Sequence, residues 1–268
     1  MKTIRFSIIV VCLNAGDKLN KTVDSILTQT YQNAEIIVKD GMSADGSVEK
    51  LPDDPRIRIL RQKDTGIYDA MNQGIGMAEG DYLLFLNCGD YFYDHKVLEK
   101  VNAWIATDKY ASEIYYGDIF NRLNGARIAS NPVINDFACY RNVPCHQACF
   151  YSGELMKKRQ YRPEYRVRAD YEHFLWSYFQ GGVQPVYMDL CVCSYEGGGY
   201  SETEENRKRS ERERREIMDQ YMTKAQIGKY DLLMKLSMAS LRTKIAENPR
   251  LSGAYNKLKE MVYRGKKK

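Results

Sequence analysis

The sequence has no run that approaches the roughly eighteen consecutive apolar residues that a helix needs to cross a bilayer. Its first residues, Met1 to Phe6, also lack the apolar core and the small-residue cleavage site of a secretory signal. We therefore expect a cytoplasmic protein. With 268 residues, of which 44% are hydrophobic, the chain can bury the core of one large domain or of one domain with an appendage.

Paired cysteines are lacking as well. The seven cysteines are an odd number, and Cys12 and Cys88 lie in or beside apolar strand-like runs, where a free thiol packs as a small hydrophobic group. A disulfide framework is therefore not expected. A cysteine-histidine cluster at 139–149 has the spacing C-x5-C-H-x2-C, which does not match the usual zinc patterns, so a zinc site is the less favoured interpretation.

The glycine-rich phosphate loops of common nucleotide-binding proteins are missing. The loop after the first apolar run is Asn14-Ala-Gly-Asp17, which is neither G-x-G-x-x-G nor a P-loop, and Gly74-Ile-Gly76 falls in a predicted helix with the wrong spacing. These absences disfavour a dinucleotide-binding Rossmann domain and a nucleotidyltransferase. Nucleic acid is not expected as a partner, because the basic residues lack interleaved aromatic residues and a recognised module.

What the sequence does have is an alternation of strand and helix patterns over its first ninety or so residues. Apolar runs at 6–13, 35–40 and 82–86 predict buried strands, 56–60 predicts a strand nearer an edge, and apolar residues recur at helical spacing between them. This alternation is typical of a parallel, doubly wound α/β sheet.

Beyond residue 95 the pattern is less regular. It predicts helices at 96–105, 154–159 and 170–180, a hairpin at 113–129, and strands at 146–151, 186–188 and 191–195. After Thr203 the composition changes to charged helix formers, and the basic excess behind the net charge of +5 lies in this last quarter. We therefore place a boundary near residue 203, before a basic helical extension.

Polar side chains follow two of the predicted parallel strands. One strand ends at Asp40, and another is followed by Asn87 and Asp90. Open α/β sheets bind ligands outside the carboxyl ends of their strands, and Mg²⁺ and Mn²⁺ take oxygen ligands from carboxylates and substrate phosphates. The pattern predicts a nucleotide site with one acid at the base or ribose and another at a divalent cation. The alternative for Asp90 is a cap on the helix that begins near His95.

Five segments in the same order carry a specific resemblance. They are Ser7–Asn14, Thr22–Tyr31, Glu35–Gly46, Gly66–Gly74 and Gly80–Asp90. Together they resemble the family-2 inverting glycosyltransferases of GT-A fold, in the branch of bacterial surface-polysaccharide enzymes. The resemblance implies an α/β fold with a mixed sheet flanked by helices. It makes 1–202 the GT-A domain, with a nucleotide-sugar-binding half at 1–95 and an acceptor half at 96–202, and leaves 203–268 as the extension.

The resemblance implies a nucleotide-sugar donor, with UDP as the expected nucleotide. Asp40 matches the acid that contacts the base, Asn87 takes the position that bonds the ribose, and Asp90 is the remaining carboxylate for Mg²⁺ or Mn²⁺. Here Asn87-Cys-Gly-Asp90 replaces the usual Asp-x-Asp signature, so metal dependence carries over less directly than the fold. The expected donor contacts are Val11, Leu13, Asn14, Asp40, Asn72, Asn87 and Asp90.

The second half is expected to supply the catalytic base. Asp170 resembles the family's acid that takes the proton of the acceptor hydroxyl, and Glu172 is the second candidate. Without the resemblance, Asp170 would be interpreted as an N-cap.

His146 and Gln147 match a pair expected to approach the acceptor or the diphosphate, although a structural histidine fits equally well. Gly198 and Ser201 belong to a Gly-Gly-x-Ser loop that is expected to close over the donor diphosphate, with an ordinary linker as the alternative.

The expected activity is therefore inverting transfer of a hexosyl or N-acetylhexosaminyl group from a nucleotide sugar to a hydroxyl of a glycan or lipid-linked acceptor, in cell-surface polysaccharide synthesis. The alternatives are a nucleotidyltransferase and a catalytically silent nucleotide-sugar-binding protein. The basic, amphipathic extension predicts peripheral contact with the cytoplasmic membrane face. An extension that packs on its own domain, or on a second subunit in a homodimer, is the other interpretation.

Overall fold

The apolar runs of the first half form a parallel sheet. In this computed structural model, which describes residues 3–197, 203–236, 253–255, 258 and 261–262, they are β1 (Phe6–Cys12), β2 (Ala34–Asp40), β3 (Ile57–Arg61) and β4 (Tyr82–Asn87). They lie in the order β3-β2-β1-β4, and every neighbouring pair is parallel. The predicted parallel arrangement is confirmed, with β3 at the edge.

Helices cover both faces of this sheet because its apolar side chains alternate between the two faces. Helix α1 (Asp17–Leu27) and α3 (Val97–Thr107) pack on the face of Ile8 and Val10, whereas α2 (Ile67–Met77) packs on the face of Ile9. Each face has its own buried core, so the carboxyl ends of β1, β2 and β4 are held rigidly at one edge of the sheet.

The second half extends the sheet with antiparallel and parallel strands. These are β5 (Tyr91–Phe92), β6 (Ile114–Asn121), β7 (Ala126–Ile128), β8 (Cys149–Ser152) and β9 (Val186–Tyr195). The link is an antiparallel pair between β4 and β8, and β6 then pairs with β8, β7 and β9. The result is a mixed sheet flanked by helices, as the sequence predicts.

Two local expectations were wrong. Residues predicted to begin a strand at 146 instead form a short 3-10 helix, His146–Ala148, and the strand starts at Cys149. The two strands predicted at 186–188 and 191–195 are one continuous strand, β9, whose pairing with β6 is irregular around Asp118. A bulge keeps such a strand continuous although its alternation is broken.

The remaining helices are α4 (Asp136–Arg141), α5 (Gly153–Lys158), α6 (Ala169–Phe179), α7 (Glu204–Tyr221) and α8 (Lys224–Leu236). Helix α7 starts where the composition changes, and the Thr203 hydroxyl accepts the Asn206 N–H as its cap. Its Ile217 and Met218 are buried in the core that also contains α6. Within the described ranges, no helix is long and apolar enough to cross a membrane.

Candidate active site

Asp40 closes β2 as a fully buried carboxylate. Its Oδ1 accepts hydrogen bonds from the N–H and hydroxyl of Ser43, at 3.0 and 2.5 Å, and the Arg61 Nε lies 3.0 Å from Oδ2. The neighbouring loop is tied in by Asn14, whose N–H donates to the Ser43 hydroxyl and whose side-chain oxygen accepts the Ala44 N–H. Asp40 therefore fixes the loop that follows β2.

Asp90 lies two strands away at the same edge of the sheet. It is only 3% exposed, and it accepts hydrogen bonds from the Gln147 side-chain amide at 3.0 Å and from the Glu196 N–H at 2.8 Å. Burial raises the pKa of Asp90 above its usual value of 3.8, despite these two bonds and the charge of His146. It does not cap a helix, because β5 follows it directly.

The 3-10 helix joins the two halves of the site. While Gln147 bonds Asp90, the adjacent His146 places its Nδ1 atom 3.0 Å from Oδ2 of Asp170. Two consecutive residues therefore reach the two predicted acids, one from each half of the chain.

Asp170 lies in the first turn of α6, and its side chain is 24% exposed. Besides His146, it meets the Tyr68 hydroxyl, which is 2.8 Å from Oδ1. Burial disfavours the ionised form, but the hydrogen bond and charge of His146 outweigh it and, with Tyr68 and Arg168, hold the pKa of Asp170 below its usual 3.8. Asp170 is not the N-cap, which is Arg168.

The predicted residues fall into two groups rather than one. His146, Gln147, Asp90 and Asp170 are linked by direct contacts. Asp40 shares their edge of the sheet, but the register pairs Cys12 with Asp40 and Val11 with Asn87, so Asp40 and Asn87 project from opposite faces.

Four other predicted contacts have varied surroundings. The side-chain amide of Asn72 is engaged at both ends by the backbone of Tyr161, which ties α2 to the second half. Leu13 is exposed, and the carbonyl of Val11 accepts the Cys88 thiol. Glu172 is fully buried and bonds Arg159 and Tyr221, away from Asp170's partners.

The loop contacts predicted at Gly198 and Ser201 lie outside the described residues. The donor-contact roles of the others stay predictions.

The sequence analysis missed three residues that shape the site. Tyr68, inside the Gly66–Gly74 segment, is a neighbour of Asp170 across 102 positions of chain. Glu196 bonds Asp90 with its N–H and forms an ion pair at 2.7 Å with Lys18. Glu213 on α7 accepts the N–H groups of residues 166–168, at 2.9 to 3.0 Å. Only Tyr68 carried a signal, its place in a recognisable motif.

Comparison with known proteins shows the family to which this sequence belongs. A family model described as Glycosyl transferase family 2 matches residues 7–166. The chain belongs to this family of glycosyltransferases. A protein of Mycobacterium tuberculosis named "PGL/p-HBAD biosynthesis glycosyltransferase" is 35% identical over 205 residues, which are 74% of this chain and 79% of that protein. The predicted family and transferase activity are confirmed.

Solved structures support the fold of the glycosyltransferase. A crystal structure of S. aureus TarS in complex with UDP-GlcNAc has a TM-score of 0.64 at 18% identity, over 85% of this chain and 69% of that one. The mannosyltransferase PcManGT from Pyrobaculum calidifontis, in complex with GDP-Man and Mn²⁺, has a TM-score of 0.56 at 18% identity, over 80% of this chain and 61% of that one. This chain therefore spans less than two thirds of the PcManGT chain. The likeness confirms the predicted GT-A fold.

Proposed function

We propose that this glycosyltransferase transfers a sugar, with inversion, from a UDP-sugar to a hydroxyl group of a glycan or lipid-linked acceptor. The observation that carries the proposal is the chain of contacts from Asp90 through Gln147 and His146 to Asp170. The adjacent residues His146 and Gln147 thus contact two acids, the partly exposed Asp170 and the buried Asp90 on the proposed donor side. The UDP-GlcNAc bound to TarS supports the donor class, and the name of the mycobacterial relative, a PGL/p-HBAD biosynthesis glycosyltransferase, supports a biosynthetic role.

The proposed chemical step needs one base. Asp170 takes the proton of the acceptor hydroxyl as the acceptor oxygen attacks the anomeric carbon, and the bond from that carbon to the diphosphate oxygen breaks with its electrons on the diphosphate. Attack from the face opposite the leaving group inverts the anomeric centre. Asp170 suits this role because it is ionised and a quarter exposed, whereas Glu172 is fully buried in ion pairs.

The residues present fit a Mg²⁺ or Mn²⁺ ion held jointly with the donor. The Asp90 carboxylate keeps lone pairs beyond its two hydrogen bonds, and the side-chain oxygen of Asn87 is buried without a partner among the described residues. Among all residues that the structure describes, no cluster of three or more His, Cys, Asp or Glu side chains could hold a metal by itself. Substrate phosphates would therefore complete the site. Bound there, the ion would offset charge on the leaving diphosphate.

A thermal-shift screen tests the donor proposal. Since a ligand that binds only the folded state raises the melting temperature, UDP with Mn²⁺ should raise it more than GDP or CDP with Mn²⁺, or than either component alone. A panel of nucleotide sugars with release of nucleoside diphosphate as the readout then identifies the sugar. Equal shifts for all three nucleotides would refute the UDP assignment, and release of sugar 1-phosphate from the nucleotide sugar would favour a nucleotidyltransferase.

We also propose that the extension attaches the enzyme peripherally to a membrane. One side of α8 packs on the domain through Tyr230, but Leu232 and Leu236 are 57% and 71% exposed on another side, one turn apart. Lys229 and Lys235 on the same helix would face anionic lipid headgroups.

Liposome flotation separates this proposal from packing on a second subunit. Wild type should float with vesicles that contain anionic lipid and less so at high salt, and Leu232→Gln with Leu236→Gln should reduce flotation while leaving Tyr230 in place. If flotation is unchanged and light scattering instead reports a dimer that the double variant dissociates, the exposed leucines serve a homodimer and the membrane proposal is wrong.

A further inference from the structure

The two oxygens of Asp170 have different partners. Oδ2 faces Nδ1 of His146, whereas Oδ1 faces the Tyr68 hydroxyl and the N–H of Tyr171, each at 2.8 Å. A carboxylate with partners on both oxygens is fixed in orientation, which is what a base needs to meet a bound hydroxyl.

The Tyr68 hydroxyl has a second acceptor within reach. Its oxygen lies 3.0 Å from the carbonyl of Val167 as well as 2.8 Å from Asp170. A tyrosine has one hydroxyl proton, so it can donate to only one of the two at a time. Tyr68 is 6% exposed, so solvent does not compete strongly for this proton.

The alternative acceptor is itself held in place. The N–H of Val167 donates to Glu213 at 2.9 Å, and the N–H groups of Arg166 and Arg168 donate to the same carboxylate. Because the segment before α6 is fixed by three hydrogen bonds, the Val167 carbonyl stays within reach of Tyr68 whether or not Asp170 is charged.

His146 contacts the other carboxylate oxygen of Asp170, Oδ2, through its Nδ1 atom. Its Nδ1–H donates to Oδ2, and its Nε2 is buried with no hydrogen-bond partner among the residues that the structure describes. Nδ1 is therefore the ring nitrogen that holds Asp170. The His146 donor at Oδ2 cannot turn away, whereas the Tyr68 hydroxyl at Oδ1 can turn to the Val167 carbonyl, so the incoming proton goes to Oδ1.

We infer that Tyr68 is a positioning residue for the transfer: its hydroxyl donates to Asp170 before the step and turns to the Val167 carbonyl once Oδ1 carries the acceptor's proton. The Tyr68 oxygen then accepts the new Oδ1–H, so Asp170 stays hydrogen-bonded in both protonation states. Tyr68 keeps its own proton, and His146 keeps Oδ2 in place. This inference rests on the proposed role of Asp170 as the base.

A double-mutant cycle tests the inference. Tyr68→Phe removes only the hydroxyl, and we expect kcat to fall about 10- to 100-fold while the donor KM stays within about twofold, since an interaction that matters in the transition state is lost. In an Asp170→Asn background the same substitution should have no further effect on the residual rate, because Tyr68 acts through Asp170.

The matched control is Tyr161→Phe. Tyr161 is a buried neighbour whose ring centroid lies 5.4 Å from that of Tyr68, and its hydroxyl has no hydrogen-bond partner among the described residues. It should leave kcat unchanged within about twofold, as should any purely structural loss of one core hydroxyl.

A second cycle covers the case in which Tyr68→Phe does not fold. His146→Asn offers an amide N–H near the position of Nδ1 and should keep several-fold more activity than His146→Leu, and the difference should vanish with Asp170→Asn. If Asp170→Asn is impaired but Tyr68→Phe matches Tyr161→Phe, or if the losses multiply in the double variants, the inference is wrong while the base stands. Normal transfer by Asp170→Asn would instead refute the base and the inference together.

Discussion

Asp90 and Asp170 are bonded by adjacent residues of one short helix, yet their environments act in opposite directions. Asp90 receives neutral donors, an amide and a backbone N–H, and is almost fully buried, so its pKa is raised. Asp170 is more exposed and faces an imidazole and a tyrosine hydroxyl, so its pKa is lowered. The partners, rather than the residue type, separate a carboxyl group whose charge burial disfavours from one whose charge its neighbours stabilise.

The sign of the Asp170 shift sets a pH window. A carboxyl group whose folded pKa lies below its usual 3.8 contributes stability above that value and loses it as the pH falls through the folded pKa. Asp170 is therefore ionised throughout the neutral range, where the proposed base must be.

The largest effect should come from neutralising the lowered-pKa acid. Asp170→Asn keeps the shape of the side chain but cannot take a proton, so we expect kcat to fall about 10²- to 10⁴-fold with donor affinity nearly unchanged. Steady-state transfer and calorimetric titration with UDP and Mn²⁺ measure the two quantities. A matching loss of donor affinity would place Asp170 in the donor site instead.

Neutralising Asp90 should disturb binding as well as turnover. Asp90→Asn removes the negative charge that a divalent ion would use, and we expect a loss of about 10²- to 10³-fold in kcat/KM together with a smaller Mn²⁺-dependent shift in the melting temperature by UDP. If that shift survives intact, the acid serves structure and the proposed ion lies elsewhere.

A milder change would sharpen the contrast through Gln147. Gln147→Leu deletes the amide that orients Asp90 but leaves His146 and Asp170 untouched, so apparent Mn²⁺ affinity should weaken about 10- to 100-fold with little change in kcat at saturating metal. Activity measured against Mn²⁺ concentration gives both values. A fall in kcat with unchanged metal dependence would contradict the proposal that Gln147 acts on the metal site and not on the base.

The smallest effect concerns the stability of the fold and involves His173, which lies one turn after Asp170 in α6. Burial lowers the pKa of His173 to about 4, so the unfolded chain binds more protons between pH 4 and pH 6.5, and stability falls as the pH drops through that window. At pH 5 this costs the wild type about 2 kcal/mol relative to neutral pH.

His173→Gln should remove that cost, since the glutamine amide can keep a bond to the Arg159 carbonyl without titrating. Urea unfolding at pH 7 and pH 5 shows the difference. An equal loss in both proteins would mean that other groups cause it.

Much of the first half was predictable because three of its parallel strands, β1, β2 and β4, contain continuous apolar runs. Such runs are buried on both faces of a parallel sheet, and their carboxyl ends bring Asp40, Asn87 and Asp90 to one edge. Alternation could not reveal that Asp40 and Asn87 face opposite ways, because this depends on the register between strands.

The second half was less predictable because its order comes from distant polar contacts. Nothing local in the sequence says that His146 meets Asp170 or that Gln147 meets Asp90, which is 57 positions away. The bulge that joins 186–188 to 191–195 in one strand likewise depends on its pairing with β6. The domain division at residue 203 stays a prediction, although α7 shares the core of the acceptor half.

Glu213 has a practical consequence for anyone who shortens this enzyme for expression or crystallisation. A fragment trimmed at the change of composition would retain both site acids and the whole sheet, yet would lose the one carboxylate that clasps three successive amides ahead of α6. Residues 166–168, and with them the Val167 carbonyl, would then lose the hydrogen bonds that fix their position. A truncated enzyme should therefore extend at least to Met222, which directly follows α7 and whose side chain is buried in the core.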